Sequence, residues 1–400
     1  MKAPRPVLIL GKGKTGDSFV NYFLKKNQPF VTYDTRVKKK DFRLKENLKF
    51  NLTLKNEIDF RNISFVACSP GFDLNDEIIK EAHKRNIKIK SDIEIFVKEN
   101  ASRKIIITGT NGKSSVCSWL EKLFQKNNID TIAIGNIGKP VLEYTNVQKD
   151  FIIIEVSSFH LEISKLPKFH LSVLLNVSPD HLDRHKNFDD YLRIKSMINE
   201  TSLISIANSK LEGIVPKVDY YFDGNGSLND QNFNAVKEIC SSLNLKFSEK
   251  EILSSFDPLP HRMESFYELS ENITFIDDSK ATNIASSLEG LKSIDKSKKL
   301  IVICGGESKN QNFKSYCDFL NSRAENIFYF GESSVFFKKL LDPSKSKEVK
   351  SLKKAVSLAF KVKQNNSVII LSPACSSLDM FDSFVERGKK FKHLVKSAKV

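Results

Sequence analysis

IIITGTNGKSSVCSWLEKLF, spanning Ile105 to Phe124, decides how this chain is read. A β-branched apolar run leads into a glycine-bearing turn, and a helix-like stretch follows. The phosphate-binding pattern G-x-x-x-x-G-K-[ST] is met only at its end, by Gly112-Lys113-Ser114. Ile107 stands where the first glycine belongs, and a glycine comes late, at Gly109. Backbone amides at a helix N-terminus can wrap phosphates, Lys113 can neutralise charge, and the Ser114 hydroxyl can sit on magnesium. The bland alternative is a glycine turn with an incidental lysine. The Gly-Lys-Ser order at a strand-to-helix junction favours a nucleotide.

A second glycine loop lies near the N-terminus. Gly11, Gly13 and Gly16 form G-x-G-x-x-G after VLIL, and Asp34 ends the next apolar run. This pattern lets backbone approach a diphosphate at a helix N-terminus, with an acid for a ribose. It does not say whether the diphosphate belongs to a nicotinamide cofactor, a flavin or a UDP-sugar. Two such loops imply a chain that brings two phosphorylated molecules together.

Composition narrows the class. Four hundred residues, 40% apolar and 28% charged, predict two or three globular domains. No apolar run approaches the ~20 residues of a spanning helix, and the N-terminus lacks the ~7–15-residue apolar core of a signal peptide. Cys68, Cys117, Cys240, Cys304, Cys317 and Cys375 are scattered, so they read as reduced thiols of a cytoplasmic protein. The net charge of +15 is spread along the chain and fits small anionic substrates better than nucleic acid.

Short apolar runs alternate with amphipathic stretches. PVLIL, PFVTYD, ISFVACSPG, KIIITG, DTIAIG, DFIIIEVSS, LSVLLNVS, ITFIDDS, KLIVICGG, NIFYFG and SVIILSP read as buried strands. The alternation predicts an α/β protein with mainly parallel sheets covered by helices. Breaks near 91–103 and at FDPLPHRME predict three domains, at 1–93, 94–258 and 259–400.

Polar residues gather where these strands end. Glu155 closes FIIIE, and Asp180, His181 and Asp183 follow LSVLLNVS. Oxygen ligands suit magnesium, whereas His160, His181 and His185 lack zinc-like spacing. Lys195, in DDYLRIKSMI, is either an exposed lysine or an amine able to take up carbon dioxide as a carbamate. FIDDSKATN supplies Asp277, Asp278, Lys280, Thr282 and Asn283. VICGGESKN supplies Glu307 and Lys309, and ILSPACSSLDMFDSF supplies Ser376, Ser377 and Phe384. Each could be a helix cap, but their recurrence at three strand ends favours a site for a small carboxylated molecule.

The ordered set TGTNGKS, GNIG, EVSSFHLE, NVSPDHLDRH, YLRIK, LPHRME, DDSKATN, GGESKN and LSPACSSLDMF resembles the Mur ligase family of peptidoglycan synthesis. DSKATN with LSPACSSLDMF points to its D-glutamate-adding branch. The resemblance implies a Rossmann-like N-terminal domain for UDP-MurNAc-L-Ala, a P-loop-type central ATPase domain, and a Rossmann-like C-terminal domain for D-glutamate. It implies a cytoplasmic enzyme, a monomer, that uses ATP, two Mg2+ ions and a CO2-derived carbamate on Lys195, with no nucleic acid and no membrane insertion.

Site residues follow from the same resemblance. Lys14, Thr15, Asp34, Thr35, Arg36, Ser69, Pro70, Gly71, Asn136 and His160 match UDP-sugar positions. Gly109, Thr110, Asn111, Gly112, Lys113, Ser114, Ser115, Asn234, Arg262, Asp278 and Lys280 match ATP positions. Thr282, Lys309, Ser377 and Phe384 match the D-glutamate pocket. Ser114, Glu155, His181 and Lys195 match the metal site, and Lys113, Glu155, His181 and Lys195 the catalytic set. His160 stands where the family has glutamine, and the adenine segment reads DQNFN, with Gln231 at the earlier asparagine position. Three rival readings stand beside this one: an NAD(P) oxidoreductase with Arg36 at a 2′-phosphate, a folylpolyglutamate synthase, and a nucleotide-regulated binding module.

Overall fold

The computed structural model describes residues 4–35, 53, 55–181, 184–256, 259–269, 272–309 and 311–398. Arg36 and Asp183 lie outside them.

Three sheets follow one another along the chain. The first contains β1 (Val7–Leu10), β2 (Phe30–Tyr33), β3 (Val66–Cys68) and β4 (Ile89–Lys90), in the order β2-β1-β3-β4 and all parallel. Helices α1 (Lys14–Lys25), α2 (Glu77–Lys84) and α3 (Asp92–Glu99) accompany it.

The second sheet contains β5 (Arg103–Thr108), β6 (Thr131–Gly135), β7 (Phe151–Glu155), β8 (Phe169–Leu174), β9 (Ser202–Asn208) and β10 (Tyr220–Phe222). Its order is β10-β9-β8-β5-β7-β6, again parallel. Its helices are α4 (Lys113–Lys126), α5 (Ser158–Ile163), α6 (Phe188–Thr201), α7 (Leu228–Ser242) and α8 (Glu249–Leu253). β5 is central, and its neighbours β7 and β8 leave it in opposite directions across the sheet. That is the switch point where a crevice opens beyond the strand ends.

The third sheet contains β11 (Glu264–Leu269), β12 (Ile273–Asp277), β13 (Lys299–Gly305), β14 (Asn326–Phe330), β15 (Ser346–Glu348) and β16 (Ser367–Leu371). The order is β11-β12-β16-β13-β14-β15, with β11 antiparallel at one edge. Helices α9 (Ile284–Lys292), α10 (Lys314–Arg323), α11 (Ser334–Leu340), α12 (Leu352–Val362) and α13 (Phe384–Ser397) complete it. Its inner strands β16, β13 and β14 are buried on both faces. Leu300, Val302 and Ile370 point into one core, while Ile301, Ile303 and Ile369 point into the other.

Two compact units result: residues 1–177 with 191–255, and residues 178–190 with 256–400. The stretch at 91–103, read from sequence as a boundary, contains a capped helix. Ser91 accepts a hydrogen bond from the Glu94 amide at 3.0 Å, and Ile93 and Phe96 behind it are fully buried. They join Val7, Phe19, Ile106 and Ile152 in one core that serves the first and second sheets together. Each such side chain contributes about 1.5–3 kcal/mol by leaving water, so these two sheets share a unit.

Candidate active site

In the first unit, β5 ends at Thr108 and α4 begins at Lys113. Between them the chain makes a tight loop. Gly112 has φ +85°, and a side chain there would collide with the Asn232 amide, which is why glycine occupies it. Gly109 lies against Leu175 and Asn176.

The loop is held from outside. Asn176 accepts from the Thr110 amide through its backbone at 2.8 Å and from the Asn111 amide through its side chain at 2.9 Å. Its own amide donates to the Asn111 carbonyl at 3.0 Å. Tyr191 meets Thr110 through a hydroxyl–hydroxyl bond of 3.1 Å. Asn176, Asn232 and Tyr191 were not singled out by sequence reasoning. Asn176 was signalled only by its place at a strand end in NVS.

Lys113 and Lys195 both turn onto this loop. Lys113 Nζ donates to the carbonyls of Gly109 and Thr110 at 2.7 and 2.9 Å. Lys195 comes from α6, is 1% exposed, and donates to the same Gly109 carbonyl at 2.9 Å. The exposed-lysine reading of Lys195 is therefore corrected: it packs under the nucleotide loop, with its ammonium 4.8 Å from the Tyr191 ring centre. Ser114 and Ser115 lie in the first turn of α4.

Glu155 is opposite Ile107 in the ladder, at the end of the neighbouring strand. It is 1% exposed. One carboxylate oxygen accepts from Asn136 Nδ2 at 2.9 Å, and the other is buried with no hydrogen-bond partner among the described residues. A buried carboxylate oxygen without a donor is costly unless a cation reaches it. The oxygen and hydroxyl donors here suit a hard divalent ion. Asn136, expected at the substrate, is thus engaged with Glu155.

His160 caps α5 by a reciprocal arrangement with Ser157, whose hydroxyl lies 2.7 Å from its Nδ1. Burial holds its pKa below the usual histidine range, although Asp92 and Glu155 oppose that. It is 4% exposed in this arrangement. Asn234 is bound to the Asp223 carbonyl at 3.0 Å, while Gln231 lies 3.4 Å from Asn208.

At the first glycine loop, Gly11 has φ +89° and Gly16 packs directly on the Gly11 carbonyl. Asp34 accepts from the Lys12 amide at 2.6 Å. Ser69 follows β3 and donates its amide to the Leu10 carbonyl at 3.0 Å, while its buried hydroxyl has no hydrogen-bond partner among the described residues. Lys14 and Thr15 open α1. Thr35, Pro70 and Gly71 are at least partly accessible around the same strand ends.

In the second unit, the order β12-β16-β13 brings three strand ends side by side. Glu307 and Ser376 exchange backbone hydrogen bonds at 3.0 and 3.1 Å, closing two of those ends together. Lys280 lies 4.6 Å from the Phe384 ring centre, and Thr282 turns back on Lys280. Ser377 is buried and its carbonyl accepts from the Phe381 amide. Asp278 is buried, and that burial pushes its pKa up to about 8 despite the Met263 amide and Arg262. Asp277 pairs with His261 at 2.6 Å.

The support for these ends is Arg387, which sequence reasoning also missed. It is fully buried on α13 and donates to the Ser279 hydroxyl and to the carbonyls of Ser279, Cys375, Ser376 and Gly305. Burial lowers its pKa only to about 10, so it remains a cation. His181 also belongs to this unit, with φ +55°. Lys309 lies 3.8 Å from Asp180, the residue that precedes His181 in the chain.

Comparison with known proteins agrees with this arrangement. Residues 5–91 match the description "Mur ligase MurD-like, N-terminal domain", residues 107–214 "Mur ligase middle domain", and residues 261–375 "Mur ligase, glutamate ligase domain". The chain is 32% identical over 432 residues to a UDP-N-acetylmuramoylalanine–D-glutamate ligase of Buchnera aphidicola, covering 98% of both. It is 29% identical over 457 residues to a protein of the same name from Caldicellulosiruptor saccharolyticus, again covering 98% of both. A solved MurF ligase from Thermotoga maritima in complex with ADP shares the fold, with a TM-score of 0.63 at 14% identity over 99% of this chain and 95% of that one. With strand order, nucleotide loop and full-length relatives in agreement, the chain belongs to the Mur ligase family, in the branch of the UDP-N-acetylmuramoylalanine–D-glutamate ligases.

Proposed function

We infer that this chain joins D-glutamate to UDP-MurNAc-L-Ala at the expense of ATP, in peptidoglycan precursor synthesis. The observation that carries the reading is the nucleotide loop, where Lys113 and Lys195 meet at the Gly109 carbonyl beside a buried carboxylate with one oxygen unbonded among the described residues. The substrate assignment comes from relatives that match along 98% of the chain. They include the N-terminal fold, which separates this reading from a folylpolyglutamate synthase.

A carboxylate is a poor electrophile at neutral pH. Its oxygen attacks the γ-phosphorus of ATP, the bond to the β-phosphate oxygen breaks, and an acyl phosphate and ADP result. The D-glutamate amine, as the free base, then attacks the acyl carbon; inorganic phosphate leaves with the bonding pair and takes up the proton that the nitrogen gives up. Lys113 and the loop amides offset charge on the transferring group, so positioning and electrostatics supply most of the rate.

Ser114, Glu155, His181 and a carbamylated Lys195 would hold two magnesium ions, which supply charge neutralisation for the phosphates. Two ammonium groups on one buried carbonyl repel. Converting Lys195 to a carbamate anion removes that repulsion and completes an oxygen-rich donor set. We assign the UDP-sugar to residues 1–93, with Lys14, Thr15, Asp34, Thr35, Arg36, Ser69, Pro70 and Gly71. ATP is assigned to 94–258, aided by Arg262, Asp278 and Lys280, and D-glutamate to 259–400 at Thr282, Lys309, Ser377 and Phe384. The protein acts as a cytoplasmic monomer on these small molecules; no described helix is long and apolar enough to cross a membrane.

The test is phosphate release. It should require ATP, magnesium, UDP-MurNAc-L-Ala and D-glutamate together. Release indifferent to D-glutamate would sink the reading.

A further inference from the structure

We propose that Asp180 is a positioning residue for the amine of the incoming amino acid, the anion that receives its ammonium when the substrate's carboxylate takes Lys309. The proposal rests on the amino-acid ligase reading above.

Asp180 belongs to the segment 178–190, which packs with the third sheet rather than with the sheet that precedes it in sequence. It is 5% exposed. Its Oδ2 accepts from Asn283 Nδ2 at 2.9 Å, and its Oδ1 accepts from the His181 amide at 2.9 Å. Asn283 cannot turn away, because its own Oδ1 caps α9 by accepting from the Ser286 amide at 2.9 Å. The helix cap therefore fixes the amide with its NH2 on Asp180. Lys309 and His181 both adopt left-handed backbone conformations, φ +48° and +55°, which side chains rarely take. Such strain persists where surrounding structure over-determines it.

The Lys309 ammonium lies 3.8 Å from Asp180 Oδ1. That is an ion pair, but longer than a charge-assisted hydrogen bond of about 2.7–2.9 Å. A carboxylate presented to Lys309 competes for it directly.

Charge complementarity selects the occupant. Glutamate brings two carboxylates and one ammonium. Lys309 and the hydroxyls of Thr282 and Ser377 suit the carboxylates. The ammonium needs an anion, and three neighbouring acids are already engaged. Asp277 holds His261 and Lys392, Asp278 is buried against the Met263 amide and Ser372, and Glu332 holds the Ser308 hydroxyl. Asp180 is the acid paired to the lysine that the substrate recruits. An exchange of ion pairs, Lys309 to substrate carboxylate and Asp180 to substrate ammonium, orders the amino acid without leaving a buried charge alone.

The test compares two nucleophiles in wild type, Asp180→Asn and Asp180→Glu, with ATP and UDP-MurNAc-L-Ala supplied. One nucleophile is D-glutamate, a cation at its amine. The other is hydroxylamine, largely neutral at pH 8, which intercepts an acyl phosphate as a hydroxamate. In Asp180→Asn the KM for D-glutamate should rise roughly 10- to 100-fold, the loss of one charged hydrogen bond. Hydroxamate formation should fall much less, the KM for ATP should hold, and Asp180→Glu should recover part of the D-glutamate affinity. An unchanged KM for D-glutamate overturns the proposal. So does an equal loss with both nucleophiles, or a glutamate variant as weak as the asparagine one, since each describes a structural role. If wild type itself forms no hydroxamate, the ligase reading fails and this assignment falls with it.

Discussion

Lys113 and Lys195 donate to one carbonyl oxygen, that of Gly109, at 2.7 and 2.9 Å. One lysine starts the helix after the nucleotide loop and the other arrives from α6, 82 positions later, counted as 195 minus 113. Side-chain charge at this point decides whether the loop attracts or repels a divalent ion.

Replacing Lys195 with alanine should therefore lower turnover by at least ~100-fold, the usual scale for losing a group that positions charge in the transition state. Short-chain carboxylates should restore part of the rate by occupying the space of a carbamate. A steady-state assay with and without acetate checks both halves. Full activity in Lys195→Ala would end the carbamate assignment.

Asn136 orients Glu155 through the 2.9 Å bond to one carboxylate oxygen. For Glu155 in its proposed role on magnesium, losing the group that orients it costs ~10–100-fold in metal affinity. Asn136→Ala should shift the magnesium dependence of phosphate release by that factor and leave the saturated rate closer to wild type. A variant with unchanged magnesium dependence but a raised KM for the UDP-sugar would return Asn136 to the substrate.

Asp278 has an unusual proton inventory. Its pKa is about 8 in the folded chain, against an ordinary 3.8. Between those values the folded state keeps a proton that the unfolded state has released. Stability from this group is therefore present at low pH, falls as pH rises through the window, and levels off above about 8. Each pH unit inside the window is worth about 1.4 kcal/mol per proton. Asp278→Asn should flatten the pH dependence of unfolding between about 5 and 8 and be the more stable protein at the upper end. Parallel pH profiles in wild type and variant would contradict this.

Arg387 satisfies four carbonyls at three strand ends. Arg387→Met removes the charge but leaves those oxygens buried without donors. A loss of about 3–5 kcal/mol is expected, as when one partner of a buried polar set is deleted. Urea unfolding should show it, together with a raised KM for D-glutamate and little change in UDP-sugar affinity. A variant as stable as wild type would mean that water or rearranged backbone replaces the guanidinium.

Much of this was legible beforehand. The central strands β5, β7, β8, β13 and β16 are continuous apolar runs because parallel strands are covered on both faces. The strands that escaped notice, β4, β9, β10, β11 and β15, lie at or next to sheet edges. Edge strands carry polar and charged residues on their solvent side, as in Glu264–Leu269 and Ser346–Glu348, so alternation and length both weaken as signals. The helix at 92–99 escaped for another reason: a charged surface face disguised two fully buried residues, Ile93 and Phe96.

The sequence by itself determined the chemistry: the glycine loops, the polar strand ends and their order, because those depend on residue identity over a few adjacent positions. Only the tertiary structure decided which groups meet. Strand order, not chain order, set Ser279, Gly305 and Ser376 around Arg387, and packing of segment 178–190 put Asp180 beside Lys309. A hydrogen bond or ion pair acts over a few ångströms of space, and local sequence carries no record of residues a hundred positions away until the hydrophobic cores bring them together.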